Sequence, residues 1–348
     1  MSFVKSLRRL VGVGGMLGLA ATCGVAHGDT PEYPAGYRVT EKLALPGSGF
    51  DYMAIDVVNR RLYVSTDEQE NVIDVQTNKL VGTLANLPNR NHGVAISNRE
   101  GHGFTSSSDG TSTMFDLKTL KVIKVIKLGI DRPDGLNYDP ATNRVFIFSH
   151  YGKAAALDAK TGTVVGTFDI PSAEFSAPDG RGHIFLNLDK TNELAEIDAK
   201  NLKVLHTWPL KDCDTPHGLA MDTKSRRLFI GCKNSIFLVV NADTGAVVTS
   251  FPVGKGNDAT RFDPGTMNAF ASSGAGQIAV IHEDSPDKYT FVGNIATERR
   301  ARVMEVDPVT HTLYTVTQKI DEQRNEDNVV TTFNFIPDTL RLLVIPNH

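Results

Sequence analysis

Ionisable side chains recur along the chain at a spacing that a regular repeat would explain. They are Asp51, His92, Asp134, His217, Asp258 and Arg302. Carboxylate and imidazole groups ligate divalent metals and transfer protons, whereas guanidinium groups bind anions. If the fold brings these positions together, they form a site with any of these three capacities. Their chemistry therefore depends on the elements that position them.

A repeated motif surrounds each of these residues. It combines a turn, in most copies rich in Asp, with a strand that contains Phe or Tyr, as in Thr215 to Ile230. When each copy is anchored seven residues before that aromatic position, the separations are 41, 42, 39, 44, 41 and 44 residues. Periods of this size are typical of β-propeller blades. The seven anchors are Asp56, Ser97, Asp139, Pro178, Asp222, Asp263 and Asp307.

Each copy contains four segments of strand length, joined by tight turns. In the third copy they are Gly135 to Asp139, Arg144 to Ser149, Ala154 to Asp158 and Thr163 to Ile170. Asp-Pro, Asp-Gly and Thr-Gly pairs at the turns favour sharp chain reversals. A four-stranded unit cannot bury both of its faces alone, so the units must pack around an axis. The sequence predicts an all-β fold, a seven-bladed β-propeller of four-stranded antiparallel blades, as a single domain over residues 37–348.

The sequence does not show which terminal segment closes the ring. Eight segments resemble a fourth strand, including Tyr37 to Leu45 and Leu340 to Ile345, whereas seven blades need only seven. One terminal segment therefore closes the last blade from the other end of the chain or adds an extra edge strand to it. The charged segment Ile320 to Asn328 in the last blade is predicted to be a solvated loop.

Residues 1–26 carry the pattern of a cleaved signal peptide. Three basic residues precede an apolar run, Leu10 to Ala21, that is too short to span a membrane. Lipidation of Cys23 and twin-arginine export through the pair at 8 and 9 are alternatives. Cleavage would leave a flexible lead-in over 27–36 and no integral membrane segment. We expect an exported protein, periplasmic in a Gram-negative bacterium and secreted otherwise.

The mature chain is expected to be acidic and to contain two cysteines. Removal of residues 1–26 leaves 33 Lys and Arg against 40 Asp and Glu, a formal charge of −7. Binding to nucleic acid is therefore not indicated. Cys213 precedes the first strand of its repeat and Cys232 ends the second, so antiparallel pairing would place them at the same end. A disulfide between them is the favoured prediction, and two free thiols are the alternative.

The repeat resembles a known family of propellers. The motif Asp-Pro-x-x-x-Arg-[Leu/Val]-[Phe/Tyr]-[Ile/Val] is followed by third strands that end in Asp, as at Asp74, Asp158 and Asp198, and by a Thr-Gly turn. This pattern resembles the YncE or YVTN-type β-propeller proteins from Tyr37 to the C-terminus. The resemblance implies an exported seven-bladed propeller. It implies no single activity, because related propellers include lactonases, a streptogramin lyase and binding modules.

In a propeller, the first strand of each blade lines the central channel. The residue five positions before each anchor should then lie at the channel mouth, which selects the six ionisable residues and, in the fourth blade, Ala173. Two positions earlier the sequence has Arg90, Arg132 and Arg300. The loops after the second strands open on the same face and add Asp67, His150, Asp189, Lys233 and Gln318.

Three hypotheses follow for the mouth. In the first, it binds a small or anionic ligand, or a partner protein, through Asp51, Arg90, His92, Arg132, Asp134, His150, His217, Asp258, Arg300 and Arg302. In the second, the protein is an enzyme of lactonase or lyase type with His92 and His217 as catalytic bases, and a divalent metal cofactor is possible with His92, His217 and Asp51 as ligands. In the third, the channel is inert and filled with water.

Overall fold

The structure is a computed structural model and describes residues 36–88, 90–325 and 330–347. The predicted signal peptide, residues 1–26, and the lead-in up to residue 35 lie outside the described residues. Within the described ranges the chain consists of β-strands and turns, and no helix there is long and apolar enough to cross a membrane.

The first strand, β1 (Glu41–Ala44), belongs to the last blade, and the first three complete blades follow it. In each, four antiparallel strands pair in chain order. Blade 1 contains β2 (Met53–Asp56), β3 (Arg61–Ser65), β4 (Glu70–Asp74) and β5 (Lys79–Leu84). Blade 2 contains β6 (Asn91–Ser97), β7 (His102–Ser107), β8 (Thr111–Asp116) and β9 (Val122–Lys127). Blade 3 contains β10 (Pro133–Asp139), β11 (Arg144–Ser149), β12 (Lys153–Asp158) and β13 (Val164–Asp169).

The next three blades repeat this order. Blade 4 contains β14 (Ser176–Pro178), β15 (His183–Leu188), β16 (Glu193–Asp198) and β17 (Lys203–Pro209). Blade 5 contains β18 (Pro216–Asp222), β19 (Arg227–Cys232), β20 (Ile236–Asn241) and β21 (Val247–Pro252). Blade 6 contains β22 (Thr260–Asp263), β23 (Asn268–Ser273), β24 (Gln277–Ser285) and β25 (Lys288–Ala296).

The seventh blade closes the ring with strands from both ends of the chain. Its inner strands are β26 (Val303–Asp307) and β27 (Thr312–Thr317), its third strand is β30 (Arg341–Ile345), and β1 forms its outer edge. Glu41 pairs with Val344, and Ala44 pairs with Arg341. The C-terminal segment is thus a third strand, because the N-terminal strand supplies the fourth. The predicted fold class, a seven-bladed β-propeller of four-stranded antiparallel blades, is confirmed.

The insertion in the last blade is a hairpin where the sequence predicted a loop. β28 (Ile320–Arg324) pairs with β29 (Val330–Phe335), so the loop prediction was wrong for the described part of this segment. Phe335 packs against Phe50, with ring centroids 5.8 Å apart. The guanidinium of Arg300 lies 4.3 Å from the ring centre of Phe333. These ring contacts hold β29, the strand that pairs with the charged segment, against side chains of other parts of the blade ring.

The core lies between neighbouring blades and draws on their second strands. Tyr63, Phe146 and Phe229 are fully buried. Other second-strand residues are buried as well, among them Leu62, Val145, Leu228, Leu313 and Tyr314. Burial of one such side chain contributes about 2 kcal/mol to folding. The blades are therefore held rigidly enough to fix the loops at the two ends of the channel.

At one end of the propeller, a buried aspartate closes the turn after the first strand. Asp56 Oδ1 accepts hydrogen bonds from the backbone N–H groups of Val58 and Asn59, at 3.1 and 3.0 Å. Blade 2 has Ser97 at this position. The equivalent aspartates of the other blades are Asp139, Asp179, Asp222, Asp263 and Asp307. This end is called the turn end below, and the opposite end is the channel mouth.

Candidate binding site at the channel mouth

The loops that enter the first strands bring an ionisable residue from every blade to the channel mouth. Six of them line a cavity of about 140 Å³, namely five of the residues predicted from the repeat and Glu174 of blade 4. The remaining predicted residue, His92, contacts two of the lining carboxylates, Asp51 and Asp134. The complete ring is Asp51, His92, Asp134, Glu174, His217, Asp258 and Arg302.

The prediction of Ala173 for the fourth blade was wrong. Ala173 is fully buried in the core, whereas Glu174 contacts the histidines of the mouth. The turn of blade 4 is one residue shorter than the others, since Asp179 stands six residues before Phe185 and not seven. Counting back from the turn aspartate, and not from the aromatic residue, would have selected Glu174.

His92 joins two carboxylates on one side of the mouth. Its Nδ1 lies 2.8 Å from Asp51 Oδ2 and 3.3 Å from Asp134 Oδ1, and its Nε2 lies 2.7 Å from the hydroxyl of Ser108. Burial lowers the pKa of His92, but the hydrogen bond to Asp51 and the charge of Asp134 outweigh it and raise the pKa above its usual value. Both ring nitrogens therefore have partners, and the neighbouring carboxylates favour the protonated imidazole.

His150 continues this cluster from the loop after β11. Its Nε2 is in close contact with Asp134 Oδ2, and its Nδ1 lies 3.3 Å from the hydroxyl of Ser172 and 3.7 Å from Glu174 Oε1. The hydrogen bond to Asp134 raises the pKa of His150 to about 9. His150 was placed at the mouth from its loop position alone, and the structure puts it on the cavity wall.

Positive groups gather around Asp258 on the opposite side. His217 Nδ1 lies 3.1 Å from Asp258 Oδ1, Lys233 Nζ lies 2.9 Å from the same oxygen, and Arg302 lies 3.1 Å from Oδ2. Burial raises the pKa of Asp258, but these three charges overcome it and hold the pKa well below its usual range. His217 Nε2 also lies 3.0 Å from Glu174 Oε2. The buried carboxylate is thus fully compensated.

Aromatic side chains separate the mouth from the rest of the channel. The rings of Tyr52 and Phe175 lie 4.6 Å apart and line both the mouth cavity and a second cavity of about 460 Å³ beneath it. A Cβ at Gly93 would stand 2.9 Å from Tyr52 Cβ, and one at Gly135 would stand 3.1 Å from its hydroxyl. The glycines after His92 and Asp134 therefore leave room for Tyr52 to reach across the channel. The mouth is thus closed at its base and is called the cup below.

The entering loops carry an arginine two positions before His92, Asp134 and Arg302, and these three arginines are called the rim below. Arg90, Arg132 and Arg300 have φ angles of 56°, 45° and 67°, in the left-handed region. Glycine holds the equivalent positions in blades 1 and 6, at Gly49 and Gly256, with φ of 70° and 72°. A residue other than glycine costs about 1 kcal/mol or more in this conformation. The three blades accept that cost and retain a guanidinium at the rim.

The two exposed rim arginines have few partners. Among the described residues, no carboxylate oxygen lies within 4.0 Å of a guanidinium nitrogen of Arg90 or Arg132. Arg132 donates a hydrogen bond of 3.0 Å to the hydroxyl of Tyr151 and lies 5.3 Å from its ring centre. Arg300 is half-buried, and burial together with the nearby charge of Arg302 lowers its pKa. The rim therefore presents positive charge to solvent.

The predicted metal ligands do not meet as a set. Asp51 and His92 lie beside Asp134, with one ligand atom of each within 4.8 Å of the others, whereas His217 turns to Glu174 and Asp258. A second group that meets the same limit is His150, Glu174 and Asp189. The repeat placed Asp189 in a loop at the mouth, and its spacing did not select Glu174.

The predicted cysteine pair lies next to the mouth. The sulfur atoms of Cys213 and Cys232 are 1.98 Å apart in the structure, a bonded distance. Cys232 ends β19, one residue before Lys233, and pairs with Pro216, the residue before His217. The bridge therefore restrains the segments that position His217 and Lys233.

Comparison with known proteins supports the family predicted from the repeat. The chain is 24% identical over 192 residues to proteins named "Uncharacterized protein YncE" from Salmonella typhi and Salmonella typhimurium. The aligned part is 52% of this chain and 53% of each relative, so the chain spans about half the length of the curated relatives it matches. No family model matches the chain.

A solved structure supports the fold over the full length. One chain in a crystal structure of the mitotic checkpoint complex superposes with a TM-score of 0.72, at 14% identity, over 98% of this chain and 99% of that chain. At this identity the likeness concerns the fold alone. Its seven four-stranded blades and its similarity to the Salmonella proteins make the chain a YncE-like β-propeller.

Proposed function

We propose that the protein binds a small anionic ligand at the channel mouth. The observation that carries this proposal is the rim, where Arg90, Arg132 and Arg300 occupy a backbone conformation that glycine adopts at lower cost. A guanidinium presents several N–H donors in one plane and binds carboxylate or phosphate oxygens in pairs. An anionic group at the rim would meet such donors directly.

The cup below the rim limits the rest of the ligand. Its volume of about 140 Å³ is what a few molecules of liquid water occupy. Its wall carries carboxylates that histidines, Lys233 and Arg302 already compensate. A neutral polar group that donates and accepts hydrogen bonds suits this wall better than a second charge. We therefore infer a ligand with one anionic group and hydroxyl groups, such as a hydroxy acid or a phosphate ester.

The geometry gives less support to an enzyme of lactonase or lyase type. His92 has a hydrogen-bond partner on each ring nitrogen, and His217 lies between Glu174 and Asp258. After the opposing effect of burial, neighbouring carboxylates raise the pKa of both histidines. A general base must be unprotonated when it acts, so the raised pKa makes both imidazoles less suited to that role.

Binding of named anions tests the proposal. Purified protein is titrated calorimetrically with inorganic phosphate, citrate and gluconate at low ionic strength. At least one of them should bind, and the double variant Arg90→Gly/Arg132→Gly should bind it at least tenfold more weakly, because each charge-assisted hydrogen bond contributes about 1.5–3 kcal/mol. Binding should also weaken as salt is added.

Thr215→Gly is the matched control, since Thr215 has a φ of 52° at the equivalent position of blade 5 and carries no charge. It should bind the anion as the wild type does. If none of the three anions binds, or if the double arginine variant binds as tightly as the control, the proposal is wrong.

We also propose that the protein is exported. The basic residues and apolar run of positions 1–26 support this, as does the Cys213–Cys232 bridge, because disulfides persist in oxidising compartments. The mass of the protein recovered from its native host tests the proposal. Loss of about 26 residues is expected, and a cytoplasmic protein with an intact N-terminus would contradict it.

A further inference from the structure

A second group of ligand-type side chains includes two residues of the cup wall, His150 and Glu174, and plays no part in the proposed arginine contacts. His150 follows β11, Glu174 precedes β14 and Asp189 follows β15, so neighbouring loops of blades 3 and 4 supply them. One ligand atom of each lies within 4.8 Å of the other two. Glu174 is buried, and the other two are half-buried. The folded backbone thus brings three donors together in advance.

Two of these three ligand groups have a carboxylate oxygen that could bind a further partner. Asp189 Oδ1 is buried and has no hydrogen-bond partner among the described residues. Glu174 uses Oε2 to contact His217, whereas its Oε1 lies 3.7 Å from His150 Nδ1, beyond hydrogen-bond distance. A buried carboxylate oxygen without a partner is costly, and a cation between these groups would remove that cost.

The orientation of His150 fits a metal ligand. Its Nε2 contacts Asp134, which leaves Nδ1 on the side of Glu174, with a contact of 3.3 Å to Ser172 Oγ. Metal-binding histidines commonly donate their second N–H to a carboxylate, which fixes the ring and makes the ligating nitrogen more basic. Asp134 holds that position here.

In the neighbouring cluster of Asp51, His92 and Asp134, the histidine has no ring nitrogen left for a metal. Both nitrogens of His92 already have partners, at 2.8 Å in Asp51 and at 2.7 Å in Ser108. A metal at His92 would have to displace one of these hydrogen bonds. A metal at His150 would replace only the longer contact to Ser172.

We propose that His150 Nδ1, Glu174 and Asp189 bind one divalent transition-metal ion. One imidazole and two carboxylates suit Zn²⁺, Mn²⁺, Fe²⁺ or Co²⁺. Three protein ligands leave at least one coordination position for water or for an oxygen of a bound molecule. This site does not depend on anion binding at the rim, because none of its ligands belongs to the rim.

Metal titration tests this site. Protein treated with a chelator and then freed of it is titrated with Zn²⁺ by calorimetry and with Co²⁺ by visible absorption. One equivalent of metal should bind. Asp189→Asn and His150→Gln should each weaken binding at least tenfold, and Asp134→Asn should weaken it by about 10- to 100-fold because it orients the imidazole.

Three variants serve as controls. Asp51→Asn tests the neighbouring cluster, His206→Gln tests an exposed surface histidine, and Arg90→Gly/Arg132→Gly tests the rim. All three should bind the metal as the wild type does, and thermal unfolding without metal shows that each variant is folded. The proposal is overturned if neither metal binds, if Asp189→Asn and His150→Gln bind normally, or if Asp51→Asn or His206→Gln abolishes binding.

Discussion

The two ends of the propeller carry the same repeat but use it differently. At the turn end, an aspartate accepts backbone N–H groups in six blades. Three of these aspartates, Asp179, Asp263 and Asp307, also pair with a basic side chain of the next blade. At the mouth, the equivalent positions of the entering loops hold Asp, His, Glu or Arg, and no two neighbouring blades agree. The turn end thus repeats one structural solution in six of the seven blades, whereas the mouth assembles one site from four residue types.

Arginines with a left-handed backbone conformation occur at both ends but have different partners there. At the turn end, Arg60 and Arg226 have φ of 55° and 57° and pair with buried aspartates, Arg60 with Asp307 and Arg226 with Asp179. At the mouth, Arg90 and Arg132 adopt the same conformation without a carboxylate partner among the described residues. The same backbone geometry therefore serves stability at one end and leaves charge available at the other.

The stability of the two ends also depends differently on pH. Burial raises the pKa of Asp307, but its hydrogen bond with Arg60 outweighs this and the pKa is lowered, so its contribution to stability is present above about pH 4 and is lost as the pH falls through the lowered value. Near the mouth, burial raises the pKa of Glu70 to about 8, so stability is lost there as the pH rises. Lowering the pH below about 4 should weaken the turn end, and raising the pH from about 5 to 8 should weaken the mouth.

The largest effect is expected at the turn end. Asp307→Ala removes a fully buried carboxylate and leaves Arg60 unpaired, so the free energy of unfolding should fall by about 3–5 kcal/mol. Urea denaturation measures this. Asp109→Ala, which removes an exposed aspartate that caps a single turn, should cost about 1 kcal/mol or less. Equal losses in the two variants would contradict the assignment.

The next effect concerns Glu70, which accepts hydrogen bonds from Ser65 and Asn91. Its unfolded pKa is about 4.3 and its folded pKa about 8, so folding takes up a proton between these values. Relative to Glu70→Gln, the wild type should lose about 1.4 kcal/mol of unfolding free energy per pH unit between about pH 5 and 7. Parallel stability curves for the two proteins would show that Glu70 is ionised in the fold.

A comparable effect is expected from the bridge beside the mouth. Cys213→Ser/Cys232→Ser should lower the free energy of unfolding by about 2–4 kcal/mol, because the bridge restricts the unfolded chain. Adding a reductant to the wild type should reproduce the loss and should leave the double variant unchanged. A wild type that keeps its full stability in reductant after confirmed reduction would contradict this.

The repeat made most of the fold predictable. The aromatic residue of the second strand and the turn aspartate recur because every blade must solve the same packing problem, so counting along the sequence found six of the seven ring positions. The prediction failed in blade 4 because the turn of that blade is one residue shorter. The hairpin at Ile320 was missed because its first strand is charged and its second strand, Val330–Phe335, contacts Phe50, which is distant in sequence.

The partners within the ring could not be predicted from the repeat. Spacing placed His92 and His217 at the same radius of the ring, and the hypothesis joined them in one metal site. Their partners depend on the adjacent blades, where Asp51 and Asp134 flank His92 while Glu174 and Asp258 flank His217. Such choices follow from side-chain geometry across neighbouring loops, which a period in the sequence does not encode.

The smallest change in structure gives the most direct test. Arg132→Gly at the mouth and Arg226→Gly at the turn end remove one left-handed arginine each, and both keep a backbone that glycine favours. We predict that Arg132→Gly changes the free energy of unfolding by less than about 0.5 kcal/mol and weakens binding of the anion found among phosphate, citrate and gluconate. Arg226→Gly should leave that binding unchanged and lower stability by several-fold more, since it leaves the buried Asp179 without its guanidinium. If Arg132→Gly destabilises the fold as much as Arg226→Gly and leaves anion binding intact, the division between a structural end and a binding end is wrong.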